Sequence, residues 1–143
     1  MLNITKKVEY ALIAIRHIKN SKENSLHSSK EIATRYNIPY ELLSKVLQKL
    51  CKLKYLKAIK GPYGGYKLSK SLDNIKLINF FEDIEGPIGL AKCSIDSDCT
   101  QIDLCNIKSP INKINNNIRD LLSKTTLNEI TTWGLLWKKI KKL

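Results

Sequence analysis

The stretch Tyr40-Glu41-Leu42-Leu43-Ser44-Lys45-Val46-Leu47-Gln48-Lys49-Leu50-Cys51-Lys52-Leu53-Lys54, followed by Tyr55-Leu56-Lys57-Ala58-Ile59-Lys60-Gly61-Pro62-Tyr63-Gly64-Gly65-Tyr66-Lys67-Leu68, decides the fold. In its first part apolar residues recur at three and four. This puts Leu42, Leu43, Val46, Leu47 and Leu50 on one stripe of a helix over about 39–53, with Cys51 beside them as a core residue. Tyr40, Glu41, Ser44, Lys45, Gln48 and Lys49 make a polar, basic outer face. The period changes at Tyr55. Residues 55–60 and 66–68 read as two strands, and Gly61-Pro62-Tyr63-Gly64-Gly65 between them is a turn whose glycines supply positive φ.

Upstream, Asn37-Ile38-Pro39 breaks the chain, because a residue before proline avoids the helical region while proline suits a first helical turn. Ser28 and Glu31 form a capping box that opens a helix over about 29–36, with Ile32, Ala33 and Tyr36 inward. Ile4, Val8, Ala11, Leu12, Ile15 and Ile18 give a longer helix over 5–19. Two helices joined by a short break, the second basic on its outer face, match a helix-turn-helix; the hairpin behind them makes it a winged one. Lys57, Lys60 and Lys67 flank the wing tip, within reach of phosphates or a minor groove.

Downstream, Leu77, Ile78, Phe81 and Ile84 predict a short helix over 76–85, stopped by Gly86-Pro87. Residues 88–105 show no sustained period. Ile107, Ile111, Ile114, Ile118 and Leu121 then space four, three, four and three, a seam for a partner helix, most readily a second copy of the chain. The other faces of this helix are Asn-rich. Thr126 and Glu129 form a second capping box before a final helix carrying Ile130, Trp133, Leu136, Trp137 and Ile140 on one side. The fold class is therefore mainly α with a small β-hairpin wing. A winged helix-turn-helix domain spans 1–86, a cysteine-containing loop 87–106, and a dimerisation helix with a C-terminal helix 107–143.

The 143 residues carry a formal charge of +12, and 43% are hydrophobic, enough for a core and against global disorder. No apolar run approaches the ~20 residues that span a bilayer. The start, Met1-Leu2-Asn3-Ile4-Thr5-Lys6-Lys7, lacks the apolar stretch of a signal peptide, so a cytoplasmic protein without membrane association is expected. Residues 1–72 hold 15 Lys and Arg against 4 Asp and Glu, net +11; the remainder holds 10 against 9. A positive half of this kind attracts a polyanion, nucleic acid before an anionic membrane surface. Coding bias toward Ile, Asn and Lys accounts for Lys content but not for its confinement to one half.

Cys93, Cys99 and Cys105 are separated by five residues each time, in a loop of Ser, Asp, Gln and Asn. Three is odd for disulfides, and the chain reads as cytosolic. Structural zinc favours closer pairs, so the spacing is loose for zinc; three soft thiolates on one loop suit an iron–sulfur cluster better and leave one coordination site for another residue. A thiol enzyme is disfavoured, since there is no C-x-x-C pair, no Cys/His/Asp arrangement and no Gly-rich cofactor loop after a strand.

Glu9-Tyr10-Ala11-Leu12, Ile38-Pro39, Lys45-Val46-Leu47-Gln48-Lys49-Leu50, Gly61-Pro62-Tyr63-Gly64-Gly65-Tyr66 and the evenly spaced cysteines together resemble the IscR/NsrR-type regulators of the Rrf-two family. The resemblance runs from Ile4 to Ile130 and includes Thr126-Leu127-Asn128-Glu129-Ile130. It implies a homodimeric bacterial transcription regulator that binds double-stranded DNA at a two-fold operator, under control of an iron–sulfur cluster on Cys93, Cys99 and Cys105. Family grounds favour 2Fe–2S, with 4Fe–4S as the alternative.

Two departures stand out. Lys60 stands where the family often has Arg before the wing's Gly-Pro, which keeps the charge but loses the planar fork. IscR-like members use a histidine three residues after the third cysteine; here that residue is Lys108, and a protonated lysine cannot ligate iron. NsrR-like members use a first-helix carboxylate supplied by the other subunit. Glu9 occupies the matching place and is the candidate fourth ligand, while Asp96, Asp98 and Asp103 read as solvated loop carboxylates. His17 reads as a surface or interface residue and His27 as loop.

The expected DNA contacts follow from these placements. Tyr40, Ser44, Lys45, Gln48 and Lys49 face the major groove, with Gln48 and Ser44 reading base edges. Ser28, Ser29 and Lys30 hold phosphates, and Lys60, Pro62, Tyr63 and Gly64 carry the wing into the adjacent minor groove. The signal is cluster or iron supply, nitric oxide or redox stress. The alternative is a metal-free winged-helix repressor under thiol-redox or partner control.

Overall fold

A computed structural model describes residues 3–96 and 98–140, with side chains of the last helix described as far as Trp133. Leu136, Trp137 and Ile140, expected on one side of that helix, lie outside the described side chains. The order is α1 (Lys6–Lys19), α2 (Ser29–Tyr36), α3 (Tyr40–Lys52), β1 (Leu56–Ile59), β2 (Gly65–Leu68), α4 (Leu77–Glu85), α5 (Lys108–Lys124) and α6 (Leu127–Ile140). A single 3₁₀ turn, Lys92–Ser94, interrupts the loop between α4 and α5. Among the described residues, six helices and one hairpin match the predicted class. Among the described residues no helix is long and apolar enough to cross a membrane.

Local chemistry sets the boundaries. Thr5 caps α1, its Oγ1 accepting from the Val8 N–H. Asn37 ends α2 in the left-handed region at φ 52°, which a short amide side chain tolerates, and Ile38 N–H bonds back to the Ala33 carbonyl. Pro39 then precedes α3, where its missing N–H costs nothing. In the hairpin, Leu56 pairs with Leu68 and Ile59 with Gly65. At the turn, a Cβ on Gly64 would sit 2.1 Å from the Ile59 carbonyl oxygen, so only glycine fits.

One core joins these elements. Ile15 from α1, Ile32 from α2, Leu43, Leu47 and Leu50 from α3 and Phe80 from α4 are fully enclosed, as is Leu127 at the start of α6. The C-terminal segment thus returns to the helix-turn-helix core. Backbone bonds from Leu77 N–H to Thr125 and from Leu127 N–H to Ile75 seat it there. The Lys19 ammonium spends its donors on the Asn128 carbonyl and on the hydroxyls of Thr131 and Thr132, tying α1 to α6. The Thr126 box is complete: Thr126 N–H bonds to Glu129 Oε2 at 2.7 Å and Glu129 N–H to Thr126 Oγ1 at 3.2 Å.

Several expectations need correction. Leu42 lies on the outer side of α3, half exposed. A 13-residue helix needs only one stripe, and Leu43, Val46, Leu47 and Leu50 already supply it. Tyr36 is exposed rather than inward, because its hydroxyl turns to His17 Nδ1 at 2.9 Å. Within the Asn-rich α5, Asn115 is buried rather than outward, for a reason given below.

Candidate nucleic-acid interface and cysteine loop

The helix-turn-helix presents its outer face as a row. Tyr40 opens α3 and is exposed, Lys45 follows one turn on, and Gln48 lies on the same face, also exposed. Ser28 begins α2 with its Oγ accepting from the Glu31 N–H at 3.1 Å, followed by half-buried Ser29 and exposed Lys30. The wing holds Lys60, Pro62 and Tyr63 in the open, Tyr63 at 92% exposure. Gly64 closes the tip, its N–H bonded to the Gly61 carbonyl.

Two residues of that set are placed differently. The Ser44 hydroxyl is buried with no hydrogen-bond partner among the described residues. The Lys49 ammonium donates to the Ile84 carbonyl in the last turn of α4, where unpaired carbonyls and the helix dipole attract a cation. Lys49 itself stays exposed on α3.

The capping box at Ser28 is only half made, because the Glu31 carboxylate is drawn elsewhere. Its Oε1 lies 2.9 Å from His27 Nδ1 and 3.1 Å from His17 Nε2. Burial raises the pKa of this carboxyl, and the hydrogen bonds from His27 and His17 outweigh it, leaving the group below its ordinary value. Both histidine side chains are about nine-tenths enclosed; His27 lies in the connection before α2 as the sequence suggested, but neither ring stands at the open surface. The signal was present but faint: His27 and Glu31 stand four apart across a helix start.

The three cysteines of the 88–105 region are free and half-buried. They do not form a group tight enough for one metal ion; among the described residues only His17, His27 and Glu31 do. A polynuclear cluster spreads its ligands more widely than a single ion, and three unpaired thiols remain a fitting donor set for one. Cys51, by contrast, packs against the core, and burial pushes its thiol pKa up. Cys105 opens into a groove along the start of α5, lined also by Lys108, Asn112 and Asn116. Glu9 stands in the first turn of α1 and holds Lys6 Nζ at 2.9 Å.

The loop is fastened to α5 by side chains on one face of that helix. Leu90 N–H donates to Asn115 Oδ1, Ser94 Oγ donates to Asn112 Oδ1, and Arg119 donates to the Ile88 carbonyl and to Glu82 Oε1. Asn112, Asn115 and Arg119 recur at three and four, a periodic polar face that the sequence displayed without saying what it would hold. The opposite edge carries the apolar seam, with Ile107 60%, Ile114 49% and Leu121 65% exposed.

The profile of the Rrf2 family, described as iron-dependent transcriptional regulator, matches residues 4–132. The transcriptional regulator NsrR of Bacillus licheniformis is 28% identical over 131 residues, spanning 90% of this chain and 92% of that protein. The transcriptional regulator IscR of Vibrio parahaemolyticus is 24% identical, over 92% of this chain and 78% of its own length. The structure of CymR, the global cysteine regulator of Bacillus subtilis, superposes with a TM-score of 0.73 at 26% identity, covering 93% of this chain and 98% of the other. The chain belongs to the Rrf2 family of transcriptional regulators, and it is a regulator rather than an enzyme.

Proposed function

We propose that the protein is a homodimeric, cytoplasmic DNA-binding regulator whose operator affinity is set by an iron–sulfur cluster on Cys93, Cys99 and Cys105. The observation that supports this best is the attachment of the cysteine loop to α5. Ser94, next to Cys93, bonds to Asn112, and Leu90 bonds to Asn115, so the loop's conformation bears directly on the helix that exposes the dimer seam. A bound cluster supplies a group that nitric oxide, oxidants or iron shortage can alter or remove. The chain's own residues then do the rest. Asn112, Asn115 and Arg119 hold the loop, Ile107, Ile114 and Leu121 meet a second copy, and the two α3 helices are spaced for a two-fold site.

On the DNA side, Lys45 and Gln48 with Tyr40 meet the major groove, Gln48 reading a base edge. Ser28, Ser29 and Lys30 take phosphates at the start of α2, where free N–H groups favour anions. Lys60 and Tyr63 enter the minor groove from the wing. Ser44 and Lys49 are left out of this set, the Ser44 hydroxyl being buried and the Lys49 ammonium bonded to the Ile84 carbonyl. Glu9 of the partner subunit is the fourth ligand in this reading, its carboxylate giving up Lys6 in exchange. Nuclearity follows family preference, 2Fe–2S before 4Fe–4S.

Anaerobic purification tests the proposal. A coloured protein containing iron and sulfide, bleached by nitric oxide or oxygen with a change in operator retention, is the expected result. A colourless protein after reconstitution, with DNA binding unaltered when all three cysteines become Ala, would favour a metal-free repressor. The likeness to CymR, a global cysteine regulator, supports that second reading.

A further inference from the structure

His17 on α1, His27 in the segment before α2 and Glu31 on α2 bring three ligand atoms to one point. His17 Nε2 and His27 Nδ1 are 3.2 Å apart, His17 Nε2 and Glu31 Oε1 3.1 Å, and His27 Nδ1 and Glu31 Oε1 2.9 Å. Hydrogen bonding does not account for this triangle. Two neutral imidazoles bring at most two inward hydrogens to three contacts, and the carboxylate brings none. If both rings donate to Glu31, two N–H groups face each other across the ring-to-ring contact. If one ring donates to the other, a bare nitrogen faces the carboxylate. One cation at the centre satisfies all three.

The dimensions and surroundings agree. Zinc bonds to imidazole nitrogen and carboxylate oxygen near 2.0–2.1 Å, so a tetrahedral site has ligand-to-ligand edges of roughly 3.3 Å, close to the three distances here. The outward nitrogens are both held by hydroxyls, His17 Nδ1 by Tyr36 Oη at 2.9 Å and His27 Nε2 by Ser25 Oγ at 2.9 Å. Metal-ligating histidines have their other nitrogen fixed in this way. Both rings are largely enclosed, while the exposed Glu31 carboxylate leaves a side open for a fourth ligand such as water.

We infer that His17, His27 and Glu31 bind a single divalent transition-metal ion of the zinc class, at a site separate from the cysteine loop. Two nitrogens and one carboxylate oxygen suit the borderline ions and not the hard, all-oxygen ones. The ion joins three segments. His27 also pairs through its backbone with Tyr66 of β2, donating at 3.1 Å and accepting at 2.8 Å. A Cβ on Gly65 would strike the His27 backbone at 2.8 Å, so wing and His27 are packed against each other. Metal at this point therefore braces α1 and α2 against the base of the wing.

The test uses the full chain with Cys93, Cys99 and Cys105 changed to Ala, titrated with Co²⁺ as a spectroscopic stand-in for Zn²⁺. One equivalent of tetrahedral Co²⁺ absorption is expected, displaced by Zn²⁺. H17Q and E31Q should each abolish it with circular dichroism unchanged, and Tyr36→Phe should weaken binding roughly 10- to 100-fold. Should the Ala chain not fold, a chain with Cys93, Cys99 and Cys105 changed to Ser, with and without H17Q and E31Q, gives the same answer through the Zn²⁺-dependent rise in Tm, which the two variants should lack. A folded chain that shows no Co²⁺ band at saturation, or a band or Tm rise that survives both substitutions, overturns the assignment. Cluster content plays no part in either readout, so failure here leaves the cysteine-loop reading untouched.

Discussion

Asn115 accepts a hydrogen bond from the Leu90 backbone N–H at 3.0 Å, and it is the residue of α5 that the protomer buries. A buried amide in an otherwise open helix marks where the cysteine loop is anchored. Asn115→Leu leaves the Leu90 N–H without a partner, which should cost about 1–3 kcal/mol. Asn115→Asp keeps an acceptor and should recover most of that loss. Urea unfolding midpoints of the two variants separate the bond from mere packing, since leucine fills the space and aspartate fills the role.

The apolar seam on α5 makes a different prediction. Ile114 and Leu121 stand exposed in the protomer, so Ile114→Asp and Leu121→Asp should change protomer stability by no more than about 0.5 kcal/mol. Sedimentation velocity should nonetheless show both variants as monomers, with operator affinity reduced together with self-association. A variant that stays dimeric would move the dimer contact away from this seam.

Salt dependence separates the lysines. On the proposed contacts, Lys45→Ala and Lys60→Ala each take one cation from the DNA face of each protomer, so the slope of log K against log salt should fall by roughly 0.9 per phosphate no longer neutralised, about twice that in a two-fold dimer. Gln48→Ala should instead relax preference at one base pair, at about 1–3 kcal/mol. Lys49→Ala should leave the slope alone and lower stability, because its ammonium serves the Ile84 carbonyl. Operator titrations over a salt series read all four.

The elements were legible because their signals are local. The three-and-four spacing in α1 and α3, the Asn37-Ile38-Pro39 break and the glycine turn each depend on residues within a few positions, and the helices and hairpin formed where those signals lie. What escaped depends on neighbours distant in sequence. Lys49 is exposed as its place on the helical wheel implies, but a wheel has no knowledge of α4, 35 residues away, whose carbonyl captures its ammonium. His17 and His27 looked idle alone; only the packing of α1 on the segment before α2 sets them beside Glu31. The half-made box at Ser28 shows the same competition, a local capping motif losing its carboxylate to a tertiary partner. Asn112 and Asn115 looked like solvated polar residues until the loop returned to meet them.

Glu82 and Arg119 give the last prediction, a dependence on pH. The Arg119 guanidinium donates to Glu82 Oε1 and holds its carboxyl below the ordinary 4.5; burial opposes this, and the Ile88 N–H adds to it. A carboxyl whose folded pKa is depressed binds its proton more readily when unfolded. Its stabilising contribution is therefore present in full above the unfolded value and is lost as the pH falls through the folded one. Both side chains are partly exposed, so the contribution should stay within about 1 kcal/mol. Glu82→Gln should lower the urea midpoint at about pH 7, and the difference from the wild type should shrink as the pH falls below the ordinary carboxyl range and Glu82 takes up its proton. Arg119 also holds the Ile88 carbonyl at the start of the cysteine loop, so Arg119→Ala should cost more than Glu82→Gln and retain part of its effect in acid. Equal losses for the two variants at every pH would mean that the ion pair alone, and not the tether to the loop, is what Arg119 contributes.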